Sequence, residues 1–579
     1  MNRPSRNDDD DVPGWNQSPP ALAADLTTRS DLNGVANSRS RRDHMIDPGQ
    51  TNRIDLQRME QVALDGCGKS PASHITRTAY QEHNAAAAAA AAGASQGDGA
   101  DSTSITETMH MSKSRAIKAV FSRVAQILVK YAKFVGPGFM VSVAYIDPGN
   151  YATDVAAGAT YRFRLLFMIL VSNIFAIFLQ SLCVKLGSVT GMNLAENVKA
   201  HLPRWLNFVL YIFAEAAIIA TDIAEVIGTA IALNLLLNIP LVAGCAISIV
   251  DVLAILFFYK PSGSMRGLRA FEIFVMLLVL GVVICFCFQL SLIKNTSVGE
   301  VFRGYLPSSA IVQPQGLYQS CGILGATVMP HSLYLGSGII QSRLRDFDLR
   351  NNNLPAESDD ESDGKYRPSL SAIRSCLSYS IVELAISLFT FALFVNSAIL
   401  IVAGASLSGN DQASSADLFG IHDLLSQTLA PVAGTIFALA LLLSGTSAGI
   451  VCSIAGQMVS EGQLNWNVKP WVRRLMTRAI SITPSIIIAG AVGKEGLSAA
   501  LEGSQVALSI ILPFVSAPLI YFTCRNRYMT VATREPDGSV GPGEKMRNHW
   551  ITATLAALVW LIVVVMNVAL LVLLGLGVN

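Results

Sequence analysis

The chain has 579 residues, of which 51% are hydrophobic and only 14% charged, and its mean hydropathy is +0.45. A soluble protein of this length does not carry so apolar a composition, so the solvent of most of the chain is a bilayer. A formal net charge of +1 provides no bulk attraction for nucleic acid or for a strongly acidic partner, and neither is expected.

The first 115 residues are polar, with Asp8 to Asp11, a Ser/Arg-rich stretch and an Ala85 to Ala92 tract. This composition predicts a disordered cytoplasmic tail over 1–115 without a cleavable signal, so targeting falls to the first apolar span. From Lys133 onward eleven apolar stretches are long enough for a hydrocarbon core that needs roughly 20 helical residues. They run over 133–157, 163–186, 206–236, 240–258, 270–292, 316–340, 377–404, 426–455, 476–493, 497–522 and 550–575. The expected organisation is a first five-helix repeat over 116–295, a second over 296–525, and a loop with an eleventh helix over 526–579. The nine cysteines have no zinc-type pairing except an isolated Cys285-Phe286-Cys287 and read as packing residues.

Basic residues crowd the even-numbered loops, for example Lys260, Arg266 and Arg269, or Arg525, Arg527, Lys545 and Arg547. The odd-numbered loops hold only Arg162, Arg164, Lys294, Arg303 and Lys494. The positive-inside rule then places the N-terminus in the cytoplasm. The sequon Asn295-Thr296-Ser297 falls outside, and the acidic segment at about 346–370 falls in a cytoplasmic loop and reads as a flexible linker.

Two stretches are interrupted. Gly136-Pro137-Gly138 and Asp147-Pro148-Gly149-Asn150 stand inside the first, and Gly322 to Gly325 with Met329-Pro330-His331 inside the sixth. Proline removes a donor and glycine favours unwinding, so each helix is expected to break and free backbone groups that only a protein-lined cavity can satisfy. Breaks at corresponding places in two halves point to inverted repeats with a site at the midplane. If the breaks face each other, Asp147 offers a carboxylate, Asn150 an amide oxygen, the unwound backbone near Ala326 a carbonyl and Met329 a thioether. Oxygen donors with one thioether suit Mn²⁺ or Fe²⁺ better than Mg²⁺ or Ca²⁺.

Asp147-Pro148-Gly149-Asn150 paired with Met329-Pro330-His331 resembles the signatures of NRAMP-type metal transporters. The resemblance runs from about Phe134 to Phe522 and takes in Asp222 to Gly228, Ser444-Gly445-Thr446 and Ser504-Gln505-Val506. It implies an all-α, LeuT-like 5+5 inverted repeat with eleven transmembrane helices, the first and sixth broken. It also implies proton-coupled symport of Mn²⁺ or Fe²⁺ into the cytoplasm across the plasma membrane or an endosomal or vacuolar membrane. Asp147, Asn150, Ala326 through its carbonyl and Met329 would be the metal ligands, with Gln505 joining in one state. The long tail and the acidic segment look like a fungal elaboration. Many members carry a second histidine five residues after the first, and here that position is Gly336.

Glu215, Asp222 and Glu225 lie at spacings of seven and three, which puts them on one face of the third span. They read either as a proton pathway or as structural partners of a base such as Arg478, and the resemblance favours the pathway for Asp222 and Glu225. His331, beside the second break, is the further candidate for a proton or gating role. Asp154, Asp251, Glu272 and Glu383 sit near span ends or lack a partner visible in the sequence, and none is assigned a role. No zinc motif and no nucleophile paired with a base appears, so neither an enzyme nor a resident cofactor is expected. Two other readings compete: a metal sensor on the same fold, and a Na⁺-coupled amino-acid transporter, against which Asp147 would repel the substrate carboxylate.

Overall fold

The computed structural model describes residues 136–249, 265–294, 296–351, 366–408, 418–464, 470–534 and 540–577. The tail over 1–115, Asp251 and Asn295 lie outside the described residues. The first span is two helices, α1 (Pro137–Val143) and α2 (Pro148–Tyr161), and each starts on a proline whose missing N–H costs nothing at a helix start. After α3 (Leu166–Thr190), closed by Gly191 at φ 67, comes the short α4 (Leu194–His201), which Asn193 and Glu196 start with a capping box. The long α5 (Arg204–Leu237) follows, then α6 (Leu241–Ile247), the described start of the fourth span, and α7 (Met265–Ser291). A surface helix, α8 (Val298–Arg303), precedes the second broken span, formed by α9 (Pro314–Thr327) and α10 (Pro330–Arg350). Between these two, Val328 (φ -98, ψ 70) and Met329 (φ -68, ψ 126) leave the helical region.

The second half continues with α11 (Leu370–Ser387), which passes through a π turn (Leu388–Ala392) into α12 (Leu393–Ser406). Then come α13 (Leu418–Thr428), α14 (Pro431–Leu464), α15 (Pro470–Ala491), α16 (Lys494–Thr523) and α17 (Trp550–Gly575). Among the described residues 8 helices are long and apolar enough to cross a membrane, and they coincide with the second, third, fifth to eighth, tenth and eleventh predicted stretches. The ninth is α15, apolar over Leu475–Ala491. Both breaks fall where the prolines predict them, and the chain is an integral membrane protein.

Three expectations change. The acidic segment is not a linker from its start, because α10 continues to Arg350, where Asp346 pairs with Arg350 at 2.7 Å. Asp348 is buried and accepts from the Tyr366 hydroxyl at 2.6 Å and the Ser369 amide at 3.0 Å, so both ends of the segment are tied together. The loop before α17 is also not plain coil: β1 (Thr530–Arg534) and β2 (Val540–Lys545) form an antiparallel hairpin, and Glu544 meets Arg374 of α11 at 2.6 Å. Finally, Glu383 has a partner, Arg343 of α10 at 2.5 Å, and the pair sits against Gly136 at the start of α1.

Packing centres on the broken helices. α14 lies along α5, α12 along α2, and α9 against α16. Close approach is what the glycines permit: a Cβ at Gly325 would stand 2.7 Å from the Ser509 amide of α16, so no larger residue fits at the α9–α16 contact. Outward faces of α7 and α17 carry exposed Leu277, Ile284, Leu561 and Val565, as lipid-facing helices require.

Candidate metal site

Asp147 is the N-cap of α2. Its Oδ2 accepts from the Gly149 amide at 3.1 Å and its Oδ1 from the Asn150 amide at 3.0 Å, so the carboxylate that the sequence put beside the break also starts the helix that follows. The Asn150 side chain then joins the two breaks. Its Nδ2 donates to Asp147 Oδ1 at 2.7 Å, to the Tyr145 carbonyl at 3.1 Å and to the Ala326 carbonyl of α9 at 3.3 Å. Asn150 Oδ1 is buried without a hydrogen-bond partner among the described residues.

Three oxygens from two helix breaks thus converge on one amide nitrogen, which carries partial positive charge. Turning that amide about its last torsion would exchange Nδ2 for Oδ1 and add a fourth oxygen beside these three, a donor set that suits a cation. Gln505 of α16 closes another side. It is fully buried, its Nε2 donates to Ser504 Oγ at 2.9 Å, its Oε1 has no partner among the described residues, and its amide lies against Gly149. Met329 is the N-cap of α10, fully buried, three residues after Ala326. The donor set fits a divalent ion as substrate: one anionic oxygen, neutral oxygens, and a thioether at the break.

Freed carbonyls of the first break are also satisfied by distant helices, as a break inside a membrane demands. Asn396 Nδ2 of α12 donates to the Tyr145 carbonyl at 3.3 Å and Ser444 Oγ of α14 to the Ile146 carbonyl at 3.0 Å. Sequence reading missed a second network. Gln180 of α3 donates to the Tyr145 hydroxyl at 2.9 Å and to the Ser332 carbonyl at 2.8 Å, and the Tyr145 hydroxyl lies 3.0 Å from Ser332 Oγ. The available signal was a glutamine in a strongly apolar span. A Cβ at Gly336 would run into Gln180 Oε1, so this amide takes up the space beside that position.

The acids of α5 stand elsewhere. Asp222 and Glu225 are both buried against Arg478 of α15, with Glu225 Oε2 at 3.2 Å and Asp222 closer still. The pairing that the sequence allowed is therefore present. Next to Asp222, Thr221 Oγ1 lies 3.2 Å from His331 Nδ1, which links the start of α10 to this group. Asp222, Arg478, Thr477, Gln457 and Cys452 line a small cavity. Cys452, expected only to pack, has its sulfur within 4.8 Å of a carboxylate oxygen of both acids.

Two broken helices meeting around a buried carboxylate, amide and carbonyl are the frame of a secondary transporter. A family model described as "Natural resistance-associated macrophage protein-like" matches residues 138–573, and the chain belongs to this Nramp family. It is 50% identical over 519 residues to the manganese transporter SMF1 of Saccharomyces cerevisiae, covering 81% of this chain and 89% of that one. With the iron transporter SMF3 of the same yeast it shares 56% over 410 residues, covering 70% and 84%. Among solved structures it resembles the Eremococcus coleocola manganese transporter, with a TM-score of 0.62 and 31% identity over 75% of this chain and 85% of that one.

Proposed function

We propose that the chain carries Mn²⁺ or Fe²⁺ into the cytoplasm together with protons. The observation that carries this reading is the Asn150 amide, which gathers Asp147, Tyr145 and Ala326 oxygens from both breaks at 2.7 to 3.3 Å. Asp147, Asn150, the Ala326 carbonyl and Met329 hold the ion, and Gln505, whose amide lies against Gly149, joins them in one state of the cycle. An arriving ion displaces the amide donors, Asn150 turns its oxygen inward, and the charge of Asp147 is met by a cation instead of by hydrogen bonds. The names of the yeast and bacterial relatives, manganese and iron transporters, support the choice of metals.

Protons take a partly separate route through His331, Asp222 and Glu225. The Thr221–His331 contact supports it, because it connects the second break to the acid pair on α5. Basic residues in the even-numbered loops support an N-terminus in the cytoplasm. The test is uptake of Mn²⁺, Fe²⁺, Ca²⁺ and Mg²⁺ into proteoliposomes with and without an inward pH gradient. Uptake of the first two, accelerated by the gradient, is expected. Equal uptake of Ca²⁺, or indifference to the gradient, would overturn the metal choice or the coupling respectively.

A further inference from the structure

Asp154 takes no part in the site above. Its side chain is fully buried, and among the described residues neither carboxylate oxygen has a hydrogen-bond partner. Seven residues make nearly two turns, so Asp154 points within about 20° of the direction of Asp147 and stands about 10 Å farther along α2. One turn beyond it on the same face, Gly158 packs on Leu400, Ala403 and Gly404 of α12. One turn before it, Asn150 reaches Ala326 of α9. Asp154 is therefore turned toward the seam between α9 and α12, and its carboxyl hydrogen-bonds to none of the proposed metal ligands.

Among the described residues, the helices packed against α2 hold little that could neutralise this acid. On α12 there is no titratable side chain, on α9 only Tyr318 and Cys321, and on α14 only Cys452 and Glu461. On α5 these groups are Arg204, Tyr211, Glu215, Asp222 and Glu225, and on α16 Lys494, Glu495, Glu502 and Tyr521; α2 itself adds Tyr151 and Tyr161. The only cations in this set, Arg204 and Lys494, are each the first residue of a long helix, and Lys494 lies over the Phe419 ring at 4.2 Å. Arg162, just past α2, is held by Glu300 at 2.7 Å. Water can satisfy the hydrogen bonds of a carboxylate but leaves its charge, and an unneutralised acid is among the costliest groups in a membrane interior. The cation that fits so enclosed a position is a proton.

We infer that Asp154 is a second acid of the transport cycle, carrying a proton that it gives up as the metal binds at Asp147 and regains after the metal leaves. This rests on the proton-coupled reading above. A divalent ion two turns away on the same helix face repels a proton through a medium that screens little. The released proton goes to the compartment that receives the metal, and it is replaced from the other side when the site is empty.

Asp154→Asn tests this, because the amide copies the neutral acid in shape but cannot release a proton. Mn²⁺ binding by calorimetry and simultaneous Mn²⁺ uptake and internal acidification in proteoliposomes would be measured at several pH values. The expected result is Mn²⁺ affinity within about threefold of wild type, fewer protons moved per Mn²⁺, and a flatter pH dependence of uptake. An unchanged proton-to-metal ratio and pH profile would overturn the assignment. So would a failure of Asp154→Asn to fold while Asp154→Glu folds, since the charged carboxylate would then be structural. Absence of acidification in the wild type would instead remove the coupling on which the inference rests.

Discussion

At the helix breaks a single carboxylate, Asp147, is held by neutral donors alone, whereas on α5 two carboxylates, Asp222 and Glu225, share the guanidinium of Arg478. The first arrangement leaves an anionic oxygen whose partners are all exchangeable amides, so a mobile divalent ion can replace them without breaking an ion pair. The second has a resident cation, and a divalent ion entering there would have to compete with Arg478. Two acids against one guanidinium leave one negative charge in excess, which suits exchange of a proton. Both regions are buried; the resident Arg478 cation, present beside Asp222 and Glu225 and, among the described residues, lacking beside Asp147, is what separates the proposed metal site from the proposed proton route on α5.

The strongest way to break this contrast is Asp147→Ala. Loss of the only anionic ligand should weaken Mn²⁺ binding by at least roughly 100-fold, or about 2.7 kcal/mol, while the lost helix cap costs only about 1 kcal/mol of stability. Calorimetry on folded protein decides it, and near wild-type affinity would move the site elsewhere.

Arg478→Met should act on folding before it acts on metal. Removing one partner from a buried ion pair typically costs about 3–5 kcal/mol because the other charge is left uncompensated. Thermal unfolding in detergent should show a large loss for Arg478→Met alone and a much smaller one when Asp222→Asn and Glu225→Gln are also present. Equal losses in both backgrounds would mean that Arg478 supports the fold by packing and not by charge.

The smallest effect on metal is expected from Asp222→Asn with Glu225→Gln. Mn²⁺ affinity should change little, whereas proton flux and the pH dependence of uptake should fall clearly in the same liposomes. Unaltered proton flux would leave these acids as structural partners of Arg478 and return the coupling to Asp147, His331 and Asp154.

Features that depend on neighbours in the chain are legible in the amino-acid sequence. Pro148 and Pro330 forecast both breaks, because a missing donor and a fixed φ act locally. Asp147 is legible as a candidate ligand for the same reason, since a carboxylate beside an unwound segment has few other uses. Arg478 can be suggested as a partner of Asp222 and Glu225 but not assigned, because 253 residues separate it from Glu225.

Apolar runs and interrupting prolines by themselves determined that this chain spans a membrane, where its helices lie and which two of them break, because solvent transfer and backbone geometry are properties of short segments. Tertiary structure alone decided that Asn150 meets Ala326 across 176 residues, that Gln180 takes up the space beside Gly336, that Asp348 is a tie and not part of a linker, and that a hairpin precedes α17. It alone also separated Asp147, ringed by donors, from Asp154, which has none among the described residues. Whether a buried polar group is satisfied is set by which helices pack around it, and that information lies between segments, not within them.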